Sequence, residues 1–398
     1  MKPILDLNAL QAKPFIGLVE LMRLAHAGVD ITPLGSMLIE KAFARSDDVN
    51  ILLDLSIVLQ LIGNRELALQ MQADAVLLQR SYKSPKQNPT LRILALMSVG
   101  DLMANTPIEF LLENSNIELT QFYVTENLFT VAGALNEDLP EHDLLFVAIA
   151  ESEQNLPLLK QLESLLAKWE KPVLNKPECI ANMSRDAACQ LLINITGILM
   201  PETVRYSIAN LNSERFDYPI IIRPVDSHAG NDLAKIETEI ELTDYLDRQN
   251  GSEYFVAKFV DYRNADGLFR KYRVMLISGK PFLAHLAISE HWMIHYLNAG
   301  MAESPEKRAE EARVMGNFDE TFAKKHAAAF QTIYERSGLD YLGIDCSETP
   351  DGELLIFEID SCMIVHAIDP IDLFPYKPAH MEKLFSAFQQ MLINACLP

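Results

Sequence analysis

Apolar positions along the chain fall into successive patterns. As far as about Tyr82 they recur at helical spacing, as in "FIGLVELMRLAHAGV" and "ILLDLSIVLQLIGNRELALQMQADAVLLQ", which predicts packed helices. "SYKSPKQNPT", Ser81 to Thr90, sets two prolines among polar residues and reads as a linker. Short apolar runs follow in "LRILALMSVG", "ELTQFYVT" and "HDLLFVAIA", with helical segments between and after them and a closing short strand in "KPVLNKPECI". Strands alternating with helices predict an α/β unit with a parallel sheet. A helix in "SRDAACQLLINI" comes next. From Tyr218 strands are closely spaced: "YPIIIRPV", "YFVAKFV", "KYRVMLIS", "KPFLAHLAI" and, after two helical stretches, "YLGIDCSE" and "ELLIFEID". This last region reads as antiparallel α+β. The expected division is a helical domain over 1–84, an α/β domain over 90–178 and an α+β domain over 179–398.

Within the helical part, Ser56 falls in one predicted helix, Gly63 in a turn, and Ala68 and Ala75 in the next helix, where close packing requires small side chains. The stretch resembles one tetratricopeptide repeat, with Gln72 where an aromatic is usual. One repeat cannot bury its own face. It therefore either binds a protein partner or caps the rest of the chain.

Composition narrows the partners. Net charge is -21, from 34 Lys and Arg against 55 Asp and Glu, which disfavours nucleic acid and anionic membranes. The five cysteines form no CxxC pair or zinc spacing, which fits a reducing compartment. No run of about 18 apolar residues is present, and the first residues lack a signal-peptide core. A soluble, cytoplasmic protein is expected, and a homodimer is allowed.

The candidate chemistry lies in the last region. "YLGIDCSETPDGELLIFEID" reads as a hairpin turning at "TPDG". Glu358 and Asp360 are two residues apart on one strand face, and like charges so close need compensation. Asp345 sits on the opposite arm. Three carboxylates on rigid strands suit Mg²⁺, with Mn²⁺ as its substitute; the alternative is an acidic strand end facing solvent. In "YPIIIRPVDSHAGNDLAKI" an apolar strand ends at Arg223 and enters a small-residue loop that could hold phosphates through backbone N–H groups, or could be an ordinary hairpin. "VGDLMANTPIEFLL" lacks a GxGxxG, so no dinucleotide site is expected there. His285, His291 and His295 lie near Trp292, Tyr296 and Asn298, which suggests a lined pocket; their spacing matches no zinc signature.

The order of phosphate-loop strand, apolar hinge strand, "RV" hairpin, helix and "GID…FEID" resembles the ATP-grasp superfamily, near its glutathione-synthetase-like and RimK-like ligases, from about Leu91 onward. The resemblance implies a set of roles. Arg223 replaces the family's phosphate-contacting Lys, and Ser227, His228, Ala229 and Gly230 form the phosphate-covering loop. Lys258, Phe259 and Val260 form the hinge at adenine, with Asp261 on the ribose. Arg185 stands near a second phosphate Lys of the family, and Asn298 lies near the metals. Arg273 meets the transferred phosphate or the acyl phosphate. Asp345, Glu358 and Asp360 bind the metal, Asp360 standing where Asn is more common. His285 or His295 takes the proton of the amine. His366, just beyond Asp360, replaces part of a small loop and alters the substrate pocket. The implied activity is ATP-dependent joining of a small-molecule or peptide carboxylate to an amine through an acyl phosphate. The alternatives are a nucleotide-binding scaffold or regulator whose helical N-terminus binds a protein, and a grasp-fold kinase.

Overall fold

The protein is described from a computed structural model, covering residues 6–13, 15–129, 135, 138–211, 213–225, 227 and 230–397. Contacts divide the chain into two units. The first runs to Ala150 and adds Gln154–Glu178 and the segment from Ser361 onward; the second comprises Glu151–Glu153 and Cys179–Asp360. The sequence divides into three expected segments, 1–84, 90–178 and 179–398, whereas contacts give two units. The N-terminal helices, however, group with the α/β sheet, and the segment after Asp360 groups with them instead of continuing the second unit.

In the first unit, the helix Val49–Leu61 is buried along Ile51–Leu59 and packs beside Arg65–Leu78. Ser56, Ala68 and Ala75 are fully buried, and Gly63 turns the chain at φ 85°. The helical hairpin expected from the small residues is therefore formed. Asp54 is a buried acid on this helix, and its two oxygens accept the N–H groups of Ile16 (2.8 Å) and Gly17 (2.9 Å). Burial pushes its carboxyl up to about 6 against the pull of those two amides.

The sheet of this unit contains β1 (Ser81–Ser84), β2 (Leu91–Met97), β3 (Ile117–Tyr123), β4 (Leu144–Val147) and β5 (Val173–Leu174), in the order β1-β3-β2-β4-β5. Only β1 is antiparallel to its neighbour. The expected linker therefore begins as an edge strand, anchored by the buried Tyr82. The C-terminal helix Lys377–Ala395 joins this core through Phe388, whose ring lies 5.7 Å from that of Phe146.

The second unit has two sheets. One is ordered β7-β10-β8-β9, from β7 (Thr203–Ser207), β8 (Ile220–Pro224), β9 (Ala234–Ile236) and β10 (Glu253–Lys258). The other is ordered β12-β11-β13-β14-β6, from β6 (Ile198–Leu199), β11 (Phe269–Ile277), β12 (Lys280–Ser289), β13 (Tyr341–Glu348) and β14 (Leu354–Asp360). Every pairing from β7 to β14 is antiparallel, and only β14 with β6 is parallel. The expected α+β region is what forms here. The helix expected over 319–338 is a π turn, Asp319–Ala323, followed by the α-helix Ala327–Ser337, which stops at Gly338 with φ 65°. Among the described residues no helix is long and apolar enough to cross a membrane.

Candidate nucleotide site in the second unit

Strand alternation builds the cleft. In β8 and β10 the residues Ile220, Ile222, Tyr254 and Val256 face a small apolar core, which leaves Ile221, Arg223, Phe255 and Ala257 for the other face. That face lines a cleft of about 1080 Å³, counted to its open mouth. The second sheet contributes Lys271, Asp345 and Leu355 to Glu358 to its walls. Apolar Ile221, Phe255, Leu355 and Phe357 form a slot, while Arg185, Arg223, Lys271, Asp345 and Glu358 supply charge.

The charged groups are held in a row across the second sheet. His285 of β12 is paired with Arg273 of β11, Arg273 with Asp345 of β13, and Asp345 with Glu358 of β14. Register shifts follow Arg273 and Asp345, and such irregularities re-aim side chains at functional sites. Asp345 is buried. One oxygen accepts from Arg273 Nε at 2.8 Å; the other accepts from Arg273 at 3.0 Å and from Lys271 Nζ at 2.9 Å. Burial alone would raise its carboxyl, but Arg273 and Lys271 together hold it well below the usual carboxylate range.

Glu358 accepts a hydrogen bond from Arg185, at the start of the helix Arg185–Leu192. Its carboxyl is raised by burial yet lowered overall by Arg185 and Arg223. Arg223 is itself buried. Its Nε donates to Ser227 Oγ at 2.9 Å and its Nη2 donates to the Ser227 carbonyl. Burial first, then Arg185, pushes the Arg223 guanidinium down to about 10, so it stays charged at neutral pH.

Gly230 completes the loop at φ 72°, and a Cβ there would lie 2.4 Å from His295 Nε2. Both the backbone angle and this contact exclude a side chain. His295 lines the cleft; burial and then Lys271 push its imidazole below its ordinary value, so it is neutral at pH 7. His228 and Ala229 lie outside the described residues.

At the far end, Lys258, Phe259 and Val260 all line the cleft. The Phe259 N–H donates to the Pro219 carbonyl at 3.0 Å, and its ring lies 4.1 Å from Lys235 Nζ and meets Trp292 edge-on at 5.8 Å. The Lys258 ammonium pairs with Asp217 at the surface.

Several expected residues stand apart from the cleft wall. Both Asp261 oxygens are bound by Arg263 at 3.0 Å. Asn298 Oδ1 accepts the His295 N–H at 2.9 Å, so it shapes the His295 turn. His285 packs its ring 4.6 Å from Tyr296, behind Arg273. Arg273 reaches the cleft through Asp345. Asp360 faces Gly343 across the strands. His366 belongs to the first unit, where its ring lies 5.4 Å from His26 and 6.0 Å from Phe110.

The expected three-carboxylate metal set is not gathered. Among the described residues, no three His, Cys, Asp or Glu side chains are grouped to hold an ion. Asp345 and Glu358 are instead compensated by Arg273, Lys271 and Arg185.

No protein-family model matches the chain. The solved structures that it resembles include the following two. The RimK domain ATP-grasp protein from Sphaerobacter thermophilus has 15% identity and a TM-score of 0.45, over 76% of this chain and 99% of its own. The VanG D-Ala:D-Ser ligase from Enterococcus faecalis has 15% identity and a TM-score of 0.49, over 78% of this chain and 100% of its own.

Lys271 was not anticipated among the site residues. Its signal was present in "FRKYRV": strand alternation puts Lys271 and Arg273 on one face. The apolar slot from Phe255, Leu355 and Phe357 gave no separate signal, since the same residues would suit any buried strand.

Proposed function

We propose that the chain is an ATP-grasp ligase that joins a carboxylate to an amine through an acyl phosphate. One observation carries this reading: Arg185, Arg223, Lys271, Glu358 and Asp345 line one cleft together with apolar Ile221, Phe255, Leu355 and Phe357 and the Lys258–Val260 hinge. An apolar slot suits a base, and clustered cations suit the phosphates attached to it.

The chain's own residues then do the following. Arg185 and Arg223 hold phosphate oxygens, and the Ser227–Gly230 loop covers them with backbone N–H groups. Lys271 and Arg273, fixed by Asp345, offset charge on the transferred phosphoryl group. A carboxylate oxygen of the first substrate attacks the γ-phosphorus and ADP leaves. The amine nitrogen of the second substrate attacks the acyl carbon and phosphate leaves. Neutral His295 accepts the proton lost by the amine. Glu358 lines the cleft and is held ionised by Arg185 and Arg223, but it, Asp345 and Asp360 are not grouped to hold an ion, so no step is routed through Mg²⁺. In the same reading the hairpin Val49–Leu78 is a tetratricopeptide-like element.

The test measures ATP binding and ADP release with carboxylate and amine acceptors added singly and together. The ligase requires both for release. Release with one acceptor alone favours the kinase, and ATP binding without release favours the scaffold. Glu358→Gln is expected to lower turnover by roughly 10²-fold with the fold retained; unchanged turnover would refute the assignment.

A further inference from the structure

Two tyrosine hydroxyls fasten the piece of cleft wall that follows β12. The Tyr262 hydroxyl donates to the Trp292 carbonyl at 2.5 Å, and the Tyr296 hydroxyl donates to Glu311 Oε2 at 2.8 Å. Trp292 to His295, between these two bonds, line the cleft. Tyr262 is held in turn between the Phe269 and Phe357 rings, at 4.8 and 4.9 Å.

The anchor at the other end is a fully buried acid. The helix Pro305–Asn317 is densely charged, yet it buries Glu311 completely. Glu311 Oε1 accepts the Leu286 N–H at 3.0 Å. Leu286 lies on β12, at the edge of its sheet, so the carboxylate stands in for a neighbouring strand there. A buried carboxylate is costly, and a neutral acceptor would satisfy one backbone N–H at lower cost. The carboxylate adds a second acceptor oxygen, and Tyr296 occupies it.

Tyr296 opens the short 3₁₀ turn Tyr296–Asn298 directly after His295. The bond from the His295 N–H to Asn298 Oδ1 is exposed, so water competes with it. The Tyr296 bond reaches a buried, charged oxygen and is the stronger of the two. The same helix grips the residues after the turn. Lys307 Nζ donates to the Ala299 carbonyl at 2.7 Å, and Arg308 donates to the Met301 carbonyl at 2.9 Å. The result is a His295 ring whose Nε2 lies 2.4 Å from the place a Gly230 Cβ would take.

We propose that Glu311 is a positioning residue: through the Tyr296 hydroxyl it holds the turn beside His295 and keeps the imidazole against Gly230 at the cleft wall. These contacts all lie in the second unit, and their consequence for the reaction rests on the ligase reading.

The experiment reads the His295–Gly230 contact in the whole chain, without ATP, as the nuclear Overhauser effect between the ring and glycine α protons. The wild type should show it. Tyr296→Phe keeps the ring that packs on His285 and removes only the hydroxyl. It should weaken the contact severalfold, and Glu311→Met should do the same. The double variant should add little to either, because both changes cut one link. The His326 ring, held by Glu348 at 3.0 Å, should keep its wild-type shifts in every variant. An unchanged contact in Tyr296→Phe, or equal movement of His326, would overturn the proposal. Tyr296→Phe decides the matter even if Glu311→Met fails to fold. ADP release with both acceptors should fall by roughly 10²-fold in Tyr296→Phe; unchanged release beside a lost contact would overturn the role of Glu311 in the reaction. A wild type that releases no ADP with any acceptor refutes the ligase reading alone, and the contact still decides whether Glu311 positions His295.

Discussion

Arg273 and Asp345 face each other on β11 and β13, and the guanidinium grips both carboxylate oxygens at 2.8 and 3.0 Å. Asp345 is buried and Arg273 is half-buried, so the carboxylate cannot lose its partner cheaply. Asp345→Ala is expected to lower stability by about 3 kcal/mol, because Arg273 and Lys271 are left facing each other uncompensated. Urea denaturation at neutral pH measures this.

The same pair sets an acid limit. The folded Asp345 carboxyl lies below its unfolded value, so its contribution is complete above about pH 4 and is lost as pH falls further. The urea midpoint of the wild type should therefore fall steeply below about pH 4, and Asp345→Asn should lack this component. Equal acid slopes for the two proteins would remove the pair from the account.

Gly230 and His295 should behave as one unit. Gly230→Ala meets both a positive φ and a 2.4 Å approach to His295 Nε2. Its backbone strain costs about 1 to 2 kcal/mol. Under the ligase reading, ATP affinity drops in Gly230→Ala and partly returns in the double variant with His295→Ala, a non-additive cycle. Strict additivity would show that the contact does not shape the loop.

Lys271 is expected to matter although it is not among the site residues expected from the sequence. Lys271→Met removes a cation from the cleft wall while Arg273 still compensates Asp345. ATP affinity should fall by about tenfold with little change in the urea midpoint. A large stability loss with normal affinity would make Lys271 structural.

In the first unit, Asp369 accepts from Lys377 Nζ at 3.1 Å and lies 3.5 Å from His26 Nε2. Lys377 is buried, with Nζ 4.6 Å from the Phe374 ring centre. Lys377→Met should cost about 3 kcal/mol by leaving the largely buried Asp369 with only imidazoles, His26 and His366, to offset its charge. Thermal unfolding reports it directly, and a shift smaller than that of a surface lysine variant would contradict the account.

Much of the architecture was legible as periodicity. The apolar runs at 91–97, 117–123 and 144–147 became parallel strands, and those after Tyr218 became antiparallel ones, because local alternation and length already separate the two kinds of sheet. The strand Ser81–Ser84 was not legible, since three of its four residues are polar and only pairing with β3 makes it a strand. Nor was the assignment of the tail after Asp360, because which core buries a helix is a long-range choice.

The sequence by itself determined the order of elements, the two-residue spacing that places Glu358 and Asp360 on one strand face, and the small residues that let two N-terminal helices pack. Those are consequences of period and side-chain size, which act over a few residues. Tertiary structure alone decided what compensates the acids. Arg185 lies 173 residues from Glu358, and Arg273 lies 72 from Asp345. Their pairing depends on strand register. Charge compensation in a low-dielectric interior is set by distances of a few ångströms, and only the fold fixes distances between residues so far apart in the chain.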